Sequence, residues 1–525
     1  MIVGQIQLTA FDYSAIVLYA LVVVGLGGWF AREQRTSTDY ILAGRSMGWV
    51  AVGISQLASL LSAISYLGNP GEAYAYDLGY LFFTICGFLS VPLVIHLFLN
   101  FFYTLEITSI YAYLERRFNF PTRLLASAIF VAARVAWMGT IVTAVSVVME
   151  TLTGLDPSIC IIVTTVVATG YTLVGGMKAI IWTDVIQFFL FTLGLAGAIG
   201  LILWNDGVSA VVSEVVAAEK LSMFDFSFDL TARMTVWTSI SAGVIVGMAN
   251  LTDQVSMQRY LSTRTLRDAQ KAVWMKPILS IPVATLTMVL GLALFAHYQI
   301  HPELADFEQA DKAFPHFILH EMTGGLAGVI LAAIFAAAMS SIDSGTHTVS
   351  TVCVEDYYKR LINPHAPDRA CLNLARVLTV VWGVIIAVVA LMLAGKQTIL
   401  GTMYSVVAPF FGCAVGMFAL GTATRRATAW GAFLGALVGY GLVLWVRYGF
   451  VQVDGSWELF AWNLDTDVRA GGKPVSKFWL SFVSFGGTIA SGYLFSFLWR
   501  RKSDGELGGL TIWTSPKGSS DDSDD

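Results

Sequence analysis

Residues 55–80 read SQLASLLSAISYLGNPGEAYAYDLGY. Ser55, Ser59, Ser62 and Tyr66 recur at i, i+4, i+7 and i+11, so on a helix they share one face, with Ser65 beside it. Gly68-Asn69-Pro70-Gly71 follow and are expected to interrupt the helix, because proline removes a backbone donor and glycine punctuates regular structure. A helix broken beside a hydroxyl stripe, inside an apolar run, points to a solute or ion site near the midplane of a membrane. The same stripe also suits plain helix–helix packing, since serine and other small residues permit close approach.

This stretch straddles two of thirteen long apolar runs. They fall at 13–31, 46–71, 78–105, 124–149, 157–177, 179–205, 234–252, 277–300, 322–354, 373–395, 397–424, 427–446 and 478–499. Each is about long enough to cross a bilayer as a helix. Over the 525 residues, 56% are apolar and 13% are Asp, Glu, Lys or Arg, against roughly 25% charged in soluble domains. Water could not solvate that much apolar surface, which excludes a cytosolic enzyme and a disordered chain. A net charge of −5 offers no basic face for nucleic acid. The partners expected are therefore the lipid bilayer and a small solute. The runs do not alternate apolar with polar residues, so helices rather than a barrel follow.

Lys and Arg set the orientation. With the N-terminus outside, 22 of them fall on the inner side, 8 on the outer side, and Arg134 lies within a run. The chain is thus expected in the plasma membrane, or a bacterial inner membrane, with its N-terminus outside and its C-terminus in the cytosol. No basic residue precedes Arg32, so the first run is expected to remain as a helix. The end, SSDDSDD at 519–525, reads as disordered. The five cysteines show no metal-ligand spacing and read as packing residues. GxxxxGK[ST], HExxH and GxSxG are all absent, so neither ATP-driven work nor an enzyme is expected.

Three further positions break the apolar pattern. In AAAMSSIDSGTHTVSTVCVED (336–356), Ser340, Ser341, Asp343 and Ser344 crowd one turn, and Asp343 lies about 18 Å along the helix from Glu355. A buried carboxylate needs a partner or a cavity, and clustered oxygens suit a hard cation such as Na⁺; a hydrogen-bonded structural cluster is the alternative. Asp184 lies about 9 Å from Lys178 and reads either as a site residue or as an interfacial acid. Arg134, about 16 Å past Arg123, offers a fork for a substrate carboxylate or a structural partner for Asp184, Asp253 or Asp343. The apolar run at 234–252 ends at Asp253 and Gln254. The basic, amphipathic stretch after Arg259, as far as residue 272, reads as a solvated interfacial face.

These segments together resemble the sodium/solute symporter family, over roughly residues 13–500. The resemblance rests on YTLVGGMKAIIWTDVIQ (171–187), TDQVSMQRYLSTRTLRDAQKA (252–272), AAAMSSIDSGTHTVSTVCVEDYY (336–358), DYILAGRSMGWVAVGISQLASLLSA (39–63) and GNPGEAYAYDLGY (68–80). EAYAYDLGY and TSIYAYLERRF are similar to the branch holding the iodide, multivitamin and monocarboxylate transporters. The resemblance implies an all-α, LeuT-like core of two inverted five-helix repeats, with one extra N-terminal and two extra C-terminal helices, thirteen in all. Residues 1–48 would then hold the outer N-terminus, first helix and inner loop. The repeats would be 49–205 and 206–426, the two added helices 427–500, and a disordered cytosolic tail 501–525.

The resemblance also implies a sodium site built from the backbone oxygens of Ala58, Leu61 and Ala337 and the hydroxyls of Ser340 and Ser341. Asp184, Asp343 and Ser344 stand where some members bind a second cation. Asp343 replaces a more usual serine there, and the two acids suit either a second Na⁺ or a shared proton. Ser62, Ser65, Tyr66, Phe88, Arg134, Trp137, Asp253 and Gln254 are the expected substrate pocket. Ser65 stands where the iodide transporter has glutamine, which argues against iodide, and Asp253 where sugar carriers have asparagine. The function implied is a sodium-coupled importer of a small organic solute, with an organic anion or monocarboxylate favoured and no organic cofactor. Proton coupling, a sugar, vitamin or other neutral substrate, and a solute sensor are the alternatives.

Overall fold

The structure, a computed structural model, describes residues 9–33, 36–153, 155–322, 325–393, 408–453, 456–459 and 473–514. Helix α1 (Ala10–Ala31) starts at a capping box in which Thr9 and Asp12 satisfy each other's backbone donors. Its flank exposes Leu18, Leu21 and Trp29, as a helix facing lipid does. Helices α2 (Trp49–Ala58) and α3 (Ala63–Ala75) are separated by a short unwound stretch. Helix α4 spans Gly79–Thr104, and α5 covers Phe120–Thr153.

Helix α6 (Pro157–Asp206) takes in two of the apolar runs. Fifty residues would reach about 75 Å if straight, far more than a bilayer core. Gly176, at φ +60° and ψ −169°, breaks it into two halves without a loop, a conformation that glycine adopts at no steric cost. Helices α7 (Val236–Thr252) and α8 (Gln254–Tyr260) meet at Asp253, which is extended and caps α8 by accepting from Ser256 N–H. Then follow α9 (Leu266–Ile300), α10 (Ala313–His320) and α11 (Leu326–Val352), which continues as a wider π-helical segment to Ile362. Helices α12 (Asp368–Leu393), α13 (Ala408–Ala423), α14 (Ala429–Gly449) and α15 (Leu480–Phe495) complete the bundle. Strands β1 (Phe450–Val453), β2 (Ser456–Leu459) and β3 (Lys473–Pro474) form a small antiparallel sheet in the order β2-β1-β3, a feature not expected from the sequence.

Helix α11 is the axis of the molecule. Every residue from Ala336 to Val352 is buried, between α1, α5, α6 and α12. Among the described residues, nine helical segments are long and apolar enough to cross a membrane, and five shorter apolar helices accompany them. The apolar runs fall mainly on helices: 46–71 is interrupted at 59–62, and parts of the runs 322–354 and 397–424 lie outside the described residues.

Two sequence expectations are corrected. Gly68-Asn69-Pro70-Gly71 does not break the helix, for Pro70 lies inside α3. The motif is closely packed instead: a Cβ added to Gly71 would come 2.5 Å from Asp311 Oδ1, and one added to Gly291 of α9 would come 2.2 Å from the Pro70 carbonyl oxygen. The break lies earlier, at residues 59–62. Second, part of the tail expected to be disordered is folded. Tyr113 Oη donates to the Leu510 carbonyl at 2.8 Å and Ile512 N–H to the Thr422 carbonyl at 3.0 Å, which docks 510–512 on the bundle. Residues 515–525, including SSDDSDD, lie outside the described residues.

Candidate functional site

The break between α2 and α3 strips carbonyls of their helical partners, and α11 supplies replacements. Ser340 Oγ lies 3.0 Å from the Ala58 carbonyl oxygen, 3.4 Å from that of Leu61 and 3.0 Å from that of Ala337. Ser341 Oγ donates to the Ser59 carbonyl at 3.1 Å. The five groups expected to hold sodium thus gather where α11 crosses the break, Ser341 through the neighbouring carbonyl. All are oxygen donors without a formal charge, the set a hard monovalent cation takes.

Beside the break lies a cavity of about 150 Å³. Leu60, Leu61 and Ser65 line it from the broken helix, Thr84 from α4, Trp137 from α5, Asn250 from α7, and Lys276 and Ser280 from α9. The Trp137 indole nitrogen is buried and has no hydrogen-bond partner among the described residues, so it remains available to a ligand. Lys276 is the one charged residue lining the cavity among the described residues.

Ser65 and Trp137 are the two expected pocket residues that line this cavity. Arg134 and Asp253 pair with each other through Nη2 and Oδ2, both almost wholly buried, and Asp253 borders a separate void of about 20 Å³. Gln254 is spent on the chain: its Oε1 accepts from Ile110 N–H and its Nε2 donates to the Thr108 carbonyl, both at 2.8 Å. Tyr66 packs edge-on against Phe191, ring centroids 4.7 Å apart, towards α6. Phe88 lies against Trp274, centroids 5.5 Å apart. Ser62 is buried within the break.

The residues expected for a second cation carry a resident one. Arg259 Nη2 donates to Asp184 Oδ2 at 2.9 Å and also to Ser344 Oγ. Arg259 Nε donates to Ser55 Oγ at 2.8 Å, and Ser55 in turn donates to Asp184 Oδ2 at 2.6 Å. Asp343 Oδ1 accepts from the hydroxyl of Ser344 at 3.0 Å. Arg259 itself is fully buried.

Sequence reasoning passed over Lys276 and Arg259 because both sit next to basic stretches. The signal for Lys276 lay in the start of its helix. Counted from Leu266 rather than from the apolar run, Lys276 is about 15 Å along α9.

The sodium:solute symporter family matches residues 40–439. A sodium/sialic acid symporter of Proteus mirabilis is 31% identical over 452 residues, 83% of this chain and 90% of its own. The sodium-coupled monocarboxylate transporter 1 of Homo sapiens is 29% identical over 450 residues, 83% of this chain and 73% of its own. A solved structure of a Na⁺-coupled sialic acid symporter, substrate-bound and outward-open, aligns with a TM-score of 0.83 at 27% identity, over 94% of this chain and 99% of that one. The family match runs through the broken helix, the serines of α11 and the whole cavity wall, and the chain is a helical membrane transporter of the sodium:solute symporter family.

Proposed function

We propose that the protein imports a small organic anion, a monocarboxylate foremost, with Na⁺ as the coupling ion. The observation that carries this reading is Ser340, whose hydroxyl meets three carbonyl oxygens at the helix break. Sodium held there would tie α11 to the end of α2. Leu61 belongs both to that oxygen cluster and to the cavity wall. Ion and solute would therefore each favour the conformation the other binds, and that reciprocity is the coupling.

Lys276 supports the anion. The Asp253 carboxylate, which bears on it electrostatically, is bonded to Arg134, so the ammonium group is left for a ligand charge. The cavity volume matches one that elsewhere admits benzene, which favours a solute of a few carbons over a large sugar acid. Arg259 between Asp184 and Ser344 supports one sodium per cycle, because a second cation there would meet a guanidinium.

The architecture we infer has thirteen crossings: a first helix, repeats over 49–205 and 206–426, and two further helices over 427–500. Interrupted helices in both repeats, α2/α3 and α7/α8, support an inverted pair around the site. The N-terminus is outside and the C-terminus cytosolic, in a plasma or bacterial inner membrane, as the Lys and Arg distribution favours.

The experiment is thermal unfolding of the purified protein against a panel of small solutes, in NaCl and in choline chloride. A ligand that binds the folded state raises apparent stability by mass action. Small carboxylates should stabilise in NaCl alone. Stabilisation that ignores sodium, or that neutral solutes share equally, overturns the reading.

A further inference from the structure

We propose that Asp206, His297 and His301 form a binding site for a divalent transition-metal ion, Zn²⁺ foremost, that fastens the end of α6 to the end of α9. Asp206 is the last residue of α6. His297 lies in the last turn of α9 and His301 directly follows the helix, and their ring centroids are 5.1 Å apart. His297 Nδ1 lies 2.8 Å from Asp206 Oδ2, and His301 Nε2 lies 3.0 Å from Asp206 Oδ1. One ligand atom from each of the three residues falls within 4.8 Å of the other two. Ligands around a tetrahedral zinc stand about 3.3 Å apart, and every pair of ligand atoms here lies within 4.8 Å, so a closing of at most about 1.5 Å admits the ion.

Two imidazole nitrogens and one carboxylate oxygen suit zinc and its first-row neighbours far better than Mg²⁺ or Ca²⁺. Without an ion, both histidines must donate to the same carboxylate. A metal would take the two facing lone pairs directly. The side chains of Asp206 and His297 are only 1% and 3% exposed, so two ligands are held in place before the ion arrives. That of His301 is 37% exposed, which gives the ion an entry path and leaves room for water as fourth ligand.

The two helices matter to transport. Helix α6 carries Asp184, and α9 carries Lys276 and much of the cavity wall. An ion bridging their ends favours whichever state keeps the ends together, so it slows a cycle in which they part. A second histidine pair, His316 and His320 with ring centroids 4.2 Å apart, lies on α10 and serves as the control.

The test is calorimetric titration of the detergent-solubilised full chain with ZnCl₂, and with MgCl₂ for comparison. Wild type and His320→Ala should bind one Zn²⁺ each. His301→Ala, a change at the exposed ligand, should weaken binding by more than about 100-fold, beyond what loss of an outer-sphere partner costs. Absence of zinc binding to wild type, equal binding by His301→Ala, loss of binding in His320→Ala, or equal binding of Mg²⁺ overturns the site. In proteoliposomes Zn²⁺ should slow uptake by wild type and not by His301→Ala. Uptake by zinc-loaded wild type at the metal-free rate overturns the brake.

Discussion

Nη2 of Arg259 lies 2.9 Å from Oδ2 of Asp184, and neither side chain reaches solvent. Ser55 closes the triangle, accepting from Arg259 and donating to Asp184, so α2, α6 and α8 are joined through three side chains. Ser344 brings in α11. Two charges taken out of water cost several kcal/mol each, and their attraction offsets this only where hydrogen bonds occupy the remaining polar atoms, as they do around the guanidinium, whereas Asp184 Oδ1 has no partner among the described residues. The network fixes α11 relative to the broken helix, and so holds Ser340 over the carbonyls it meets.

Removing both members should therefore cost less than the two single losses added together. Arg259→Gln leaves Asp184 a buried charge without its cation and is expected to cost on the order of 3–5 kcal/mol. Asp184→Asn combined with Arg259→Gln should cost clearly less than the two single changes summed. Thermal unfolding of the three variants measures the coupling. Additive losses would mean that the pair is not the unit described.

Ser340 and Ser341 should differ in weight. Ser340 Oγ meets three carbonyl oxygens and Ser341 Oγ one. Either alanine variant should lose about 1 kcal/mol of stability without sodium, the worth of an ordinary hydrogen bond. A sodium titration of unfolding temperature should then show the half-saturating concentration raised at least about tenfold in Ser340→Ala, which is about 1.4 kcal/mol, and less in Ser341→Ala. Unchanged sodium dependence in both would remove the ion from this cluster.

Lys276→Gln tests the anion. A hydrogen bond to a charged group is worth about 1.5–3 kcal/mol, so KM for a carboxylate substrate should rise by at least about tenfold. The sodium dependence of the substrate-free protein should hold, since Lys276 is not among the groups that meet Ser340. Uptake kinetics in the variant at unchanged KM would show that the solute does not use the ammonium group.

Much of this is legible in the amino-acid sequence alone. The apolar runs mark helices because a bilayer leaves the backbone few other ways to satisfy itself. The serines at 340 and 341 stand out because a hydroxyl pair is conspicuous in an alanine-rich run. The position of the break was not legible. Residues 59–62 contain neither glycine nor proline, and the break holds because hydroxyls some 280 residues away along the chain accommodate its carbonyls. The Gly-Asn-Pro-Gly signal reported a close approach of α9 instead. Arg134 has three candidate acidic partners in the sequence and no means of choosing among them there, because the choice of Asp253 is made by tertiary packing. Arg259 was missed for a related reason: it follows a break, where charge patterning looks the same as at a membrane surface.

The face that carries Glu115 makes a prediction about pH. Arg123 Nη1 lies 2.7 Å from Glu115 Oε2 and Arg360 Nη2 lies 2.6 Å from Oε1, so one carboxylate takes two guanidinium groups. Partial burial raises the Glu115 pKa, but hydrogen bonds from Arg360 and Arg123 outweigh it and hold the carboxyl below its usual range. A depressed pKa contributes stability that is complete above the unfolded value, about 4.3, and lost as pH falls through the folded one. The pairs are partly solvated, with Arg360 half exposed, so the contribution should not exceed about 1 kcal/mol. Unfolding temperatures of wild type and Glu115→Gln, compared between about pH 3 and 8, should differ by a constant amount near neutrality and converge on acidification below about 4.3. A gap that persists at the lowest pH would assign the loss to packing rather than to the carboxylate charge.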